Sequence, residues 1–314
     1  MYPKLDSAFR DLVVCPLCKA SVSWLESECV CDACGQRFSC SSKGIWDFIP
    51  TYPSFFQQEQ LQMWSSAQAE CENWRRKVHQ QDDYDAYLAE IDSVREIYTS
   101  EFNLDGVILD VGGGNGRLRY FLPSTASYLS VAPLVTVFDG LEQSNLLRAY
   151  PCLSEPCNLL RAQAEHLPLQ MASFDYVRMR SVVDHFWGPC LALYEVRRVL
   201  RSGGGLMIGV FVGGGTSVRC ERSVLSSLIA RFRQKVRDEG WEAAIRVAIK
   251  RLAGHAEHDH HIWHPTYSEL LELLELIHFE IEKIHWQKPP YDQVVYIMAR
   301  KRKPSRRGEP EPGY

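Results

Sequence analysis

The chain of 314 residues has no apolar run approaching the roughly 18 to 20 residues of a membrane-spanning helix, so no transmembrane segment is expected. Its opening stretch, MYPKLDSAFRDLVV, lacks the basic-then-apolar shape of an export signal, which makes a cytoplasmic location the expectation. Positive charge is not in excess either: 35 Lys and Arg stand against 39 Asp and Glu, a net charge of −4. Indiscriminate nucleic-acid binding is therefore not the default behaviour. With 46% hydrophobic and 24% charged residues, the composition is that of a folded chain rather than a disordered one. From Phe55 to Thr99 there is neither Gly nor Pro. The Gln, Glu, Ala and aromatic residues there predict a mostly helical connector within 51–102. In it Trp64, Trp74, Tyr84 and Tyr87 fall at helical spacing; packing is the favoured role, and cover over the mouth of a site is the other.

Cysteine is not scarce. Of eleven, five lie between Cys15 and Cys34. In a small secreted chain that density would mean disulfides. Here Cys15-Pro-Leu-Cys18 and Cys31-Asp-Ala-Cys34 form two CxxC turns separated by twelve residues. That spacing suits four thiolates around one structural Zn²⁺. Cys29 and Cys40 remain as replacements for one of the four, and free or disulfide-bonded cysteines in a loop remain the alternative. A segment of about fifty residues has little core of its own, so bound metal would supply much of its stability. The order CPLC…CDACGQRF…KGIWDFIP, over residues 13–50, resembles the zinc-ribbon modules that accompany some bacterial and tRNA methyltransferases. It is also similar to the front end of certain rRNA guanine methyltransferases. The resemblance implies a structural or partner-docking role, since four thiolates leave no open coordination position.

Two nucleotide-binding signatures are missing from the middle of the chain. Val107–Val111 reads as a strand, Gly112-Gly-Gly-Asn-Gly116 as a turn and Arg117–Leu122 as the start of a helix, the ligand-cradling unit of doubly wound folds. A dinucleotide fingerprint would need glycine where Arg117 stands, and the GK[ST] ending of a P-loop is absent. What is present is Asp110-x-Gly112-x-Gly114-x-Gly116. Further strands are expected at 128–131, 158–161, 174–179 and 206–212. A helix is expected over 191–200, closed by Ser202-Gly-Gly-Gly205 as a C-cap. A helix over 265–279 then leads to strands at 281–286 and 293–299 around Lys288-Pro-Pro-Tyr291.

Taken in order, LDVGGGNG (109–116), AQAEHLPLQMASFDYV (162–177) and EVRRVLRSGGGL (195–206) resemble the class I S-adenosylmethionine-dependent methyltransferases over residues 103–302. The resemblance implies an α/β, Rossmann-like sheet of seven strands with the last antiparallel. To this the chain adds the Cys₄ module at 1–50, a helical insertion at about 216–264 and a Pro- and charge-rich tail at 303–314, expected to be disordered. It also implies site residues. Asp110 and the backbone of Gly112 and Gly114 would face the methionine part of S-adenosylmethionine; Asp110 could instead only cap the following helix. Ala132 stands where an acid usually holds the ribose hydroxyls. The loss of charge-assisted hydrogen bonds of roughly 1.5–3 kcal/mol would weaken binding unless Asp139, Glu142 or a water substitutes. Gln163 would accept from the adenine amine and the Ala164 N–H would serve the ring. The backbone of Met179 and Arg180 would line the methionine side. His185, in the stretch after the fourth strand, is the candidate catalytic base or acceptor contact, with a packing histidine as the equal alternative.

Two stretches fall outside this pattern. His255–His264 is rich in histidine; an acceptor-site loop is favoured over a metal site or surface decoration. Residues 219–251 carry nine Lys and Arg against four acids on an amphipathic helical pattern. A lid, a membrane-surface contact and a grip on an anionic substrate are set against a solvated helix face. The implied activity is methyl transfer from S-adenosylmethionine to a small-molecule or lipid/sugar acceptor. The alternatives are an RNA methyltransferase guided by the zinc ribbon, which would make nucleic acid the partner, and a binding protein of this fold with weakened cofactor affinity. No acceptor motif stands out, and no pattern specifies an oligomer.

Overall fold

A computed structural model describes residues 5–41, 44–51, 62, 64–71, 73, 84–135, 158–212, 265–287 and 294–302. The basic insertion, the 255–264 histidines, Trp74, Asp139, Glu142, residues 288–291 and the tail lie outside the described residues.

After a one-turn helix α1 (Ser7–Arg10), four short strands follow: β1 (Val22–Trp24), β2 (Glu28–Cys31), β3 (Arg37–Cys40) and β4 (Trp46–Asp47). Residues 64–71 are helical and Trp64 is buried. Helix α2 (Tyr84–Asp92) leads into a π-helical turn at Ile97–Glu101, in which the Phe102 N–H reaches back five residues to the Ile97 carbonyl at 2.9 Å. Then come β5 (Val107–Val111), β6 (Ser127–Ala132), β7 (Leu159–Arg161), β8 (Phe174–Arg180), helix α3 (Pro189–Val199), β9 (Leu200–Phe211), helix α4 (Tyr267–Leu276), β10 (Phe279–Trp286) and β11 (Val294–Lys301).

All eleven strands form one sheet, in the order β1-β2-β3-β4-β7-β6-β5-β8-β9-β11-β10. From β7 to β10 this is the expected seven-stranded sheet: neighbours among β5–β9 are parallel, and β11 runs antiparallel to β9 and β10. The four further strands come from the cysteine module. Its β4 pairs in parallel with β7, Trp46 beside Leu160 and Asp47 beside Arg161, so the module lengthens the sheet instead of forming a separate bead.

Strand alternation divides the apolar residues between two layers. Leu109, Val111, Leu129, Val131, Val177, Met179, Leu206 and Ile208 face α3, α4 and the cysteine module in one core. Ile108, Tyr128, Met207, Tyr296 and Met298 face Ile91, Ile97, Tyr98, Phe102 and Leu118 in the other. The second half of the connector is thus the cover of one sheet face.

The structure departs from the sequence expectation at three places. Ser202-Gly-Gly-Gly205 is not a helix C-cap: α3 ends at Val199, Leu200 is already extended, and the glycines belong to β9. Its register jumps from Phe174↔Leu200 to Tyr176↔Gly205, a bulge that left-handed Gly203 accommodates. A Cβ on Gly205 would stand 2.7 Å from the Tyr176 ring, so a close aromatic neighbour, and not a helix end, accounts for that glycine. The helix after the glycine turn is a 3₁₀ helix over Arg117–Phe121. Helix α4 is shorter than expected at both ends. Thr266 and Glu269 close a capping box at its start, and His278, at φ 59°, turns the chain into β10.

Candidate functional site

The two CxxC turns are built alike. The Lys19 N–H donates to the Cys15 carbonyl at 3.0 Å and the Gly35 N–H to the Cys31 carbonyl at 3.1 Å; Cys15 and Cys31 donate in turn to Ala20 and Gln36. The residue after each second cysteine is left-handed, Lys19 at φ 61° and Gly35 at 71°. The Sγ atoms of Cys15, Cys18, Cys31 and Cys34 lie within 4.8 Å of one another, with Cys15–Cys34 at 3.7 Å and Cys18–Cys31 at 3.3 Å. A tetrahedron with Zn–S bonds of about 2.3 Å has edges of about 3.8 Å, so the four thiols fit one zinc ion. Burial pushes the Cys15 thiol up to about 12. Cys31 is drawn down to about 6 although burial opposes it, through the Cys34 and Ala33 N–H groups and the neighbouring thiols. Cys29, buried in β2 and raised by that burial to about 12, and Cys40 are outside the cluster.

The module is tied to the rest by long-range contacts. Lys19 Nζ donates to the Pro16 and Leu167 carbonyls and to Glu195 on α3, which Arg198 also holds at 2.7 Å. The strained backbone of Lys19 is thereby committed to an ion pair across the interface. The Val14 and Gln170 N–H groups donate to Pro168 and Leu12, and Phe9 stacks on Phe174.

The glycine turn follows β5. Gly112, Gly114 and Gly116 have positive φ, and a Cβ on Gly112 would collide with Val182 from the loop after β8. Gly113 is needed for close approach: a Cβ there would strike the Asp110 carboxylate and the Ser130 hydroxyl. Asp110 is fully buried beneath this turn. It accepts from the Tyr128 hydroxyl at 2.7 Å and from Arg178 at 2.8 Å. Arg178 donates its other terminal nitrogen to Tyr98, from the π turn, at 2.7 Å. The structure therefore places the Asp110 carboxylate under the turn, shared with Arg178. Sequence reading missed this pair. Its signal was present in Tyr176, Arg178 and Arg180, polar residues alternating along a strand with Val177 and Met179.

On the side toward β7, Ala132 is the buried last residue of β6, and its carbonyl accepts from the Ala162 N–H at 3.1 Å. Gln163 and Ala164 are buried at the start of a 3₁₀ turn ending at His166. Arg161 connects this region to the cysteine module. It pairs with Asp47, and its Nε donates to the Pro133 carbonyl just beyond Ala132 at 2.9 Å. Glu165, in the same turn, is buried and accepts from the Gly188 N–H at 3.2 Å. Burial pushes its carboxyl up to about 7, against the N–H groups of Glu165, Gly188 and Trp187. The fold thus favours the protonated form. Its contribution is full below the unfolded carboxylate range and is lost as pH rises through 7. Glu165→Gln is expected to flatten that decline, by on the order of 2 kcal/mol at pH 8, in denaturant unfolding measured across pH.

Beyond β8 the chain turns sharply. Met179 is wholly buried between Val111 and Ile208; the strand tip itself is Arg180 and Ser181. Ser181 has φ 51°, a left-handed conformation that costs a non-glycine residue energy and that is found at functional sites. Arg180 donates its Nε to the Tyr296 hydroxyl at 2.9 Å. His185 lies on the next 3₁₀ turn, half-buried, with Nε2 4.0 Å from Asp184. The structure thus brings Asp110, Gly112, Gly114, Met179 and the 181–185 loop to the C-terminal tips of β5 and β8. Ala132, Gln163 and Ala164 stand at the adjoining tips of β6 and β7. The C-terminal edge of the parallel strands, where strand order reverses, is where such sheets bind ligands.

The sheet order and the glycine turn define the class I methyltransferase fold. Residues 109–208 match the family described as "Methyltransferase domain", and this segment is such a domain. Malonyl-[acyl-carrier protein] O-methyltransferase of Geobacter sulfurreducens is 34% identical over 154 residues, 46% of this chain and 55% of that protein. The chain thus spans about half the length of the curated relative it matches. Among solved structures, 1,6-didemethyltoxoflavin-N1-methyltransferase of Burkholderia thailandensis, solved with 1,6-didemethyltoxoflavin and S-adenosylhomocysteine, aligns with a TM-score of 0.50 at 17% identity. The alignment covers 88% of this chain and all of that one. Among the described residues, no helix is long and apolar enough to cross a membrane.

Proposed function

We propose that the protein transfers a methyl group from S-adenosylmethionine to a small-molecule or lipid/sugar acceptor. The observation that carries this reading is the glycine turn at the tip of β5, whose glycines let the backbone turn at positive φ and pack tightly over Asp110 and against Val182 inside the matched methyltransferase segment. The relative's name, malonyl-[acyl-carrier protein] O-methyltransferase, supports a small or carrier-borne acceptor. When bound, the cofactor supplies a methyl on a sulfonium. The chain's own residues hold it and align the acceptor, since methyl displacement needs orientation and exclusion of water more than covalent help. Gly112 and Gly114 would face its methionine part, with the Asp110–Arg178 pair beneath them. Gln163 and Ala164 would serve the adenine and Ala132 would adjoin the ribose. The Cys15, Cys18, Cys31 and Cys34 thiols would hold a structural zinc.

Calorimetry with S-adenosylmethionine is the direct test; no binding at millimolar concentration would leave a binding or scaffold protein in place of an enzyme. Ala132→Asp is expected to tighten the cofactor by about one order of magnitude, by restoring charge-assisted bonds of roughly 1.5–3 kcal/mol; unchanged affinity would detach Ala132 from the ribose. His185 is assigned to the acceptor side. If it removes a proton, His185→Gln is expected to lower kcat at least tenfold and to abolish the acid limb of the pH–rate profile. A loss confined to KM marks it as a contact alone.

A further inference from the structure

We infer that Arg180, backed by Tyr296, is a binding site for a carboxylate carried by the methyl acceptor. The inference rests on the methyl-transfer reading and adds the chemical class of the substrate. Arg180 is the last residue of β8, beside Gly209 of β9, and half-buried. Gly209 makes its position workable: a Cβ there would lie 2.5 Å from the Tyr296 ring and 3.4 Å from Arg180 Cγ. The missing side chain lets the guanidinium and the phenol meet across the strand. Tyr296 accepts from Nε at 2.9 Å, which fixes the plane of the fork; its two terminal nitrogens have no hydrogen-bond partner among the described residues.

The charge balance at this strand tip is uneven. Among the described residues, the ionisable groups that act most on Arg180 are Tyr98, Tyr296 and the like-charged Arg178. The buried carboxylate of this face, Asp110, is paired with Arg178, and among the described residues no acid pairs with Arg180. A half-buried cation with no counter-ion among the described residues carries a desolvation cost, and the cost is offset when an anion arrives with the ligand. One planar cation, its fork held by a phenol, matches a carboxylate in charge and in bidentate geometry. The site also lies where β8 ends and the strained Ser181 begins, on the opposite side of the glycine turn from Gln163 and Ala164, which places it at the acceptor's end of the cleft.

The test uses the full chain, methyl-labelled S-adenosylmethionine and a whole soluble cell extract, carrier proteins included. One half of the extract is untreated; in the other, carboxylates are capped as amides by carbodiimide and ammonia. Labelled product is expected from the untreated half and not from the amidated half. In the untreated half, Arg180→Met is expected to lower the rate about 100-fold and Tyr296→Phe several-fold, through KM, with thermal midpoints lowered by no more than a few degrees, since one hydrogen bond and no ion pair is broken. Label that survives amidation would overturn the inference while leaving methyl transfer intact; no label from either half would overturn methyl transfer itself. The cofactor's own carboxylate is the other source. Calorimetry of S-adenosylhomocysteine and of 5′-methylthioadenosine, which lacks the amino-acid part, separates the two. Affinities within about threefold of wild type in Arg180→Met support the acceptor assignment; a tenfold loss for S-adenosylhomocysteine alone would overturn it. A large fall in thermal midpoint for both variants would also overturn it, in favour of a structural role.

Discussion

On the proposal that the four-cysteine centre holds zinc, removing the metal is expected to destabilise the whole sheet, lowering the melting midpoint by about 8 °C in one cooperative transition. The expectation follows from where the module's apolar residues lie. Leu5, Phe9, Val13, Cys15, Phe38 and Phe48 belong to the same buried cluster as Leu160, Leu167, Phe174 and Val196, so the module has no core separate from that of the domain. Without metal, the two CxxC turns would have to hold four clustered thiols, two of them exposed, against chain entropy with little else to fix them. Structural zinc sites supply apparent binding energies of about 10–16 kcal/mol, more than the total stability of many domains. Losing the module's fold would expose the edge of β7, release Glu195 from Lys19 and free Arg161 from Asp47. A net cost on the order of 5 kcal/mol, against an unfolding entropy of about 2.1 cal/mol/K per residue, corresponds to about 8 °C for a chain of 314 residues. Calorimetry of the chelated protein, or of Cys31→Ser, with zinc content measured alongside, checks this. Hydrogen exchange should show β7 and the 161–166 turn losing protection with the module. A midpoint unchanged by chelation would mean that the module is an independent unit.

The elements read most accurately from sequence are those whose signal is local. Val107–Val111 is a β-former run stopped by glycine, and its strand has those bounds. The remaining strands differ at their ends by one to a few residues, except β9, where the glycines mislead. Ser202–Gly205 follows a helical period, and glycine at that place normally ends a helix; the Tyr176 ring, 29 residues earlier in sequence, is what the bulged strand accommodates. Contacts between distant segments left no local pattern. Lys19 and Glu195 are 176 residues apart, and Arg161 and Asp47 are 114 apart. The docking of the cysteine module on α3 and β7 was therefore illegible, although its CxxC spacing was plain. Among site residues, the positions of the glycine turn followed from motif order. That Asp110 lies beneath the turn did not, because nothing in LDVGGGNG says that Arg178 stands opposite it on the neighbouring strand.

Asp110→Asn is expected to cost about 3–5 kcal/mol of stability, because it leaves Arg178 buried without its counter-charge. The Arg178 side chain is 11% exposed and the Asp110 side chain not at all. Burial works against the guanidinium's charge, yet Asp110 and Tyr98 hold it above its ordinary range. Neither member of such a pair can be removed alone without stranding the other. Arg178→Met should therefore be similarly destabilising, since it leaves a carboxylate under the glycine turn with the Tyr128 hydroxyl as its remaining hydrogen-bond donor among the described residues. The double variant should recover much of the loss, because replacing a whole buried ion pair by uncharged groups of similar size is often neutral. With two single variants at about 3–5 kcal/mol each and a double variant at about 2 kcal/mol, the cycle should then return a coupling of about 4 kcal/mol or more. A direct cofactor ligand behaves differently. Were the carboxylate to hold the cofactor's ammonium itself, Asp110→Asn would fold with an unchanged midpoint and lose affinity, and Arg178→Met would not restore it. On the structural assignment the order of effects is reversed. Unfolding reports the damage first, and cofactor affinity in the stabilised double variant stays within about tenfold of wild type, since the turn above keeps its four glycines and its shape. Denaturant unfolding and cofactor titration of the three variants decide between these outcomes.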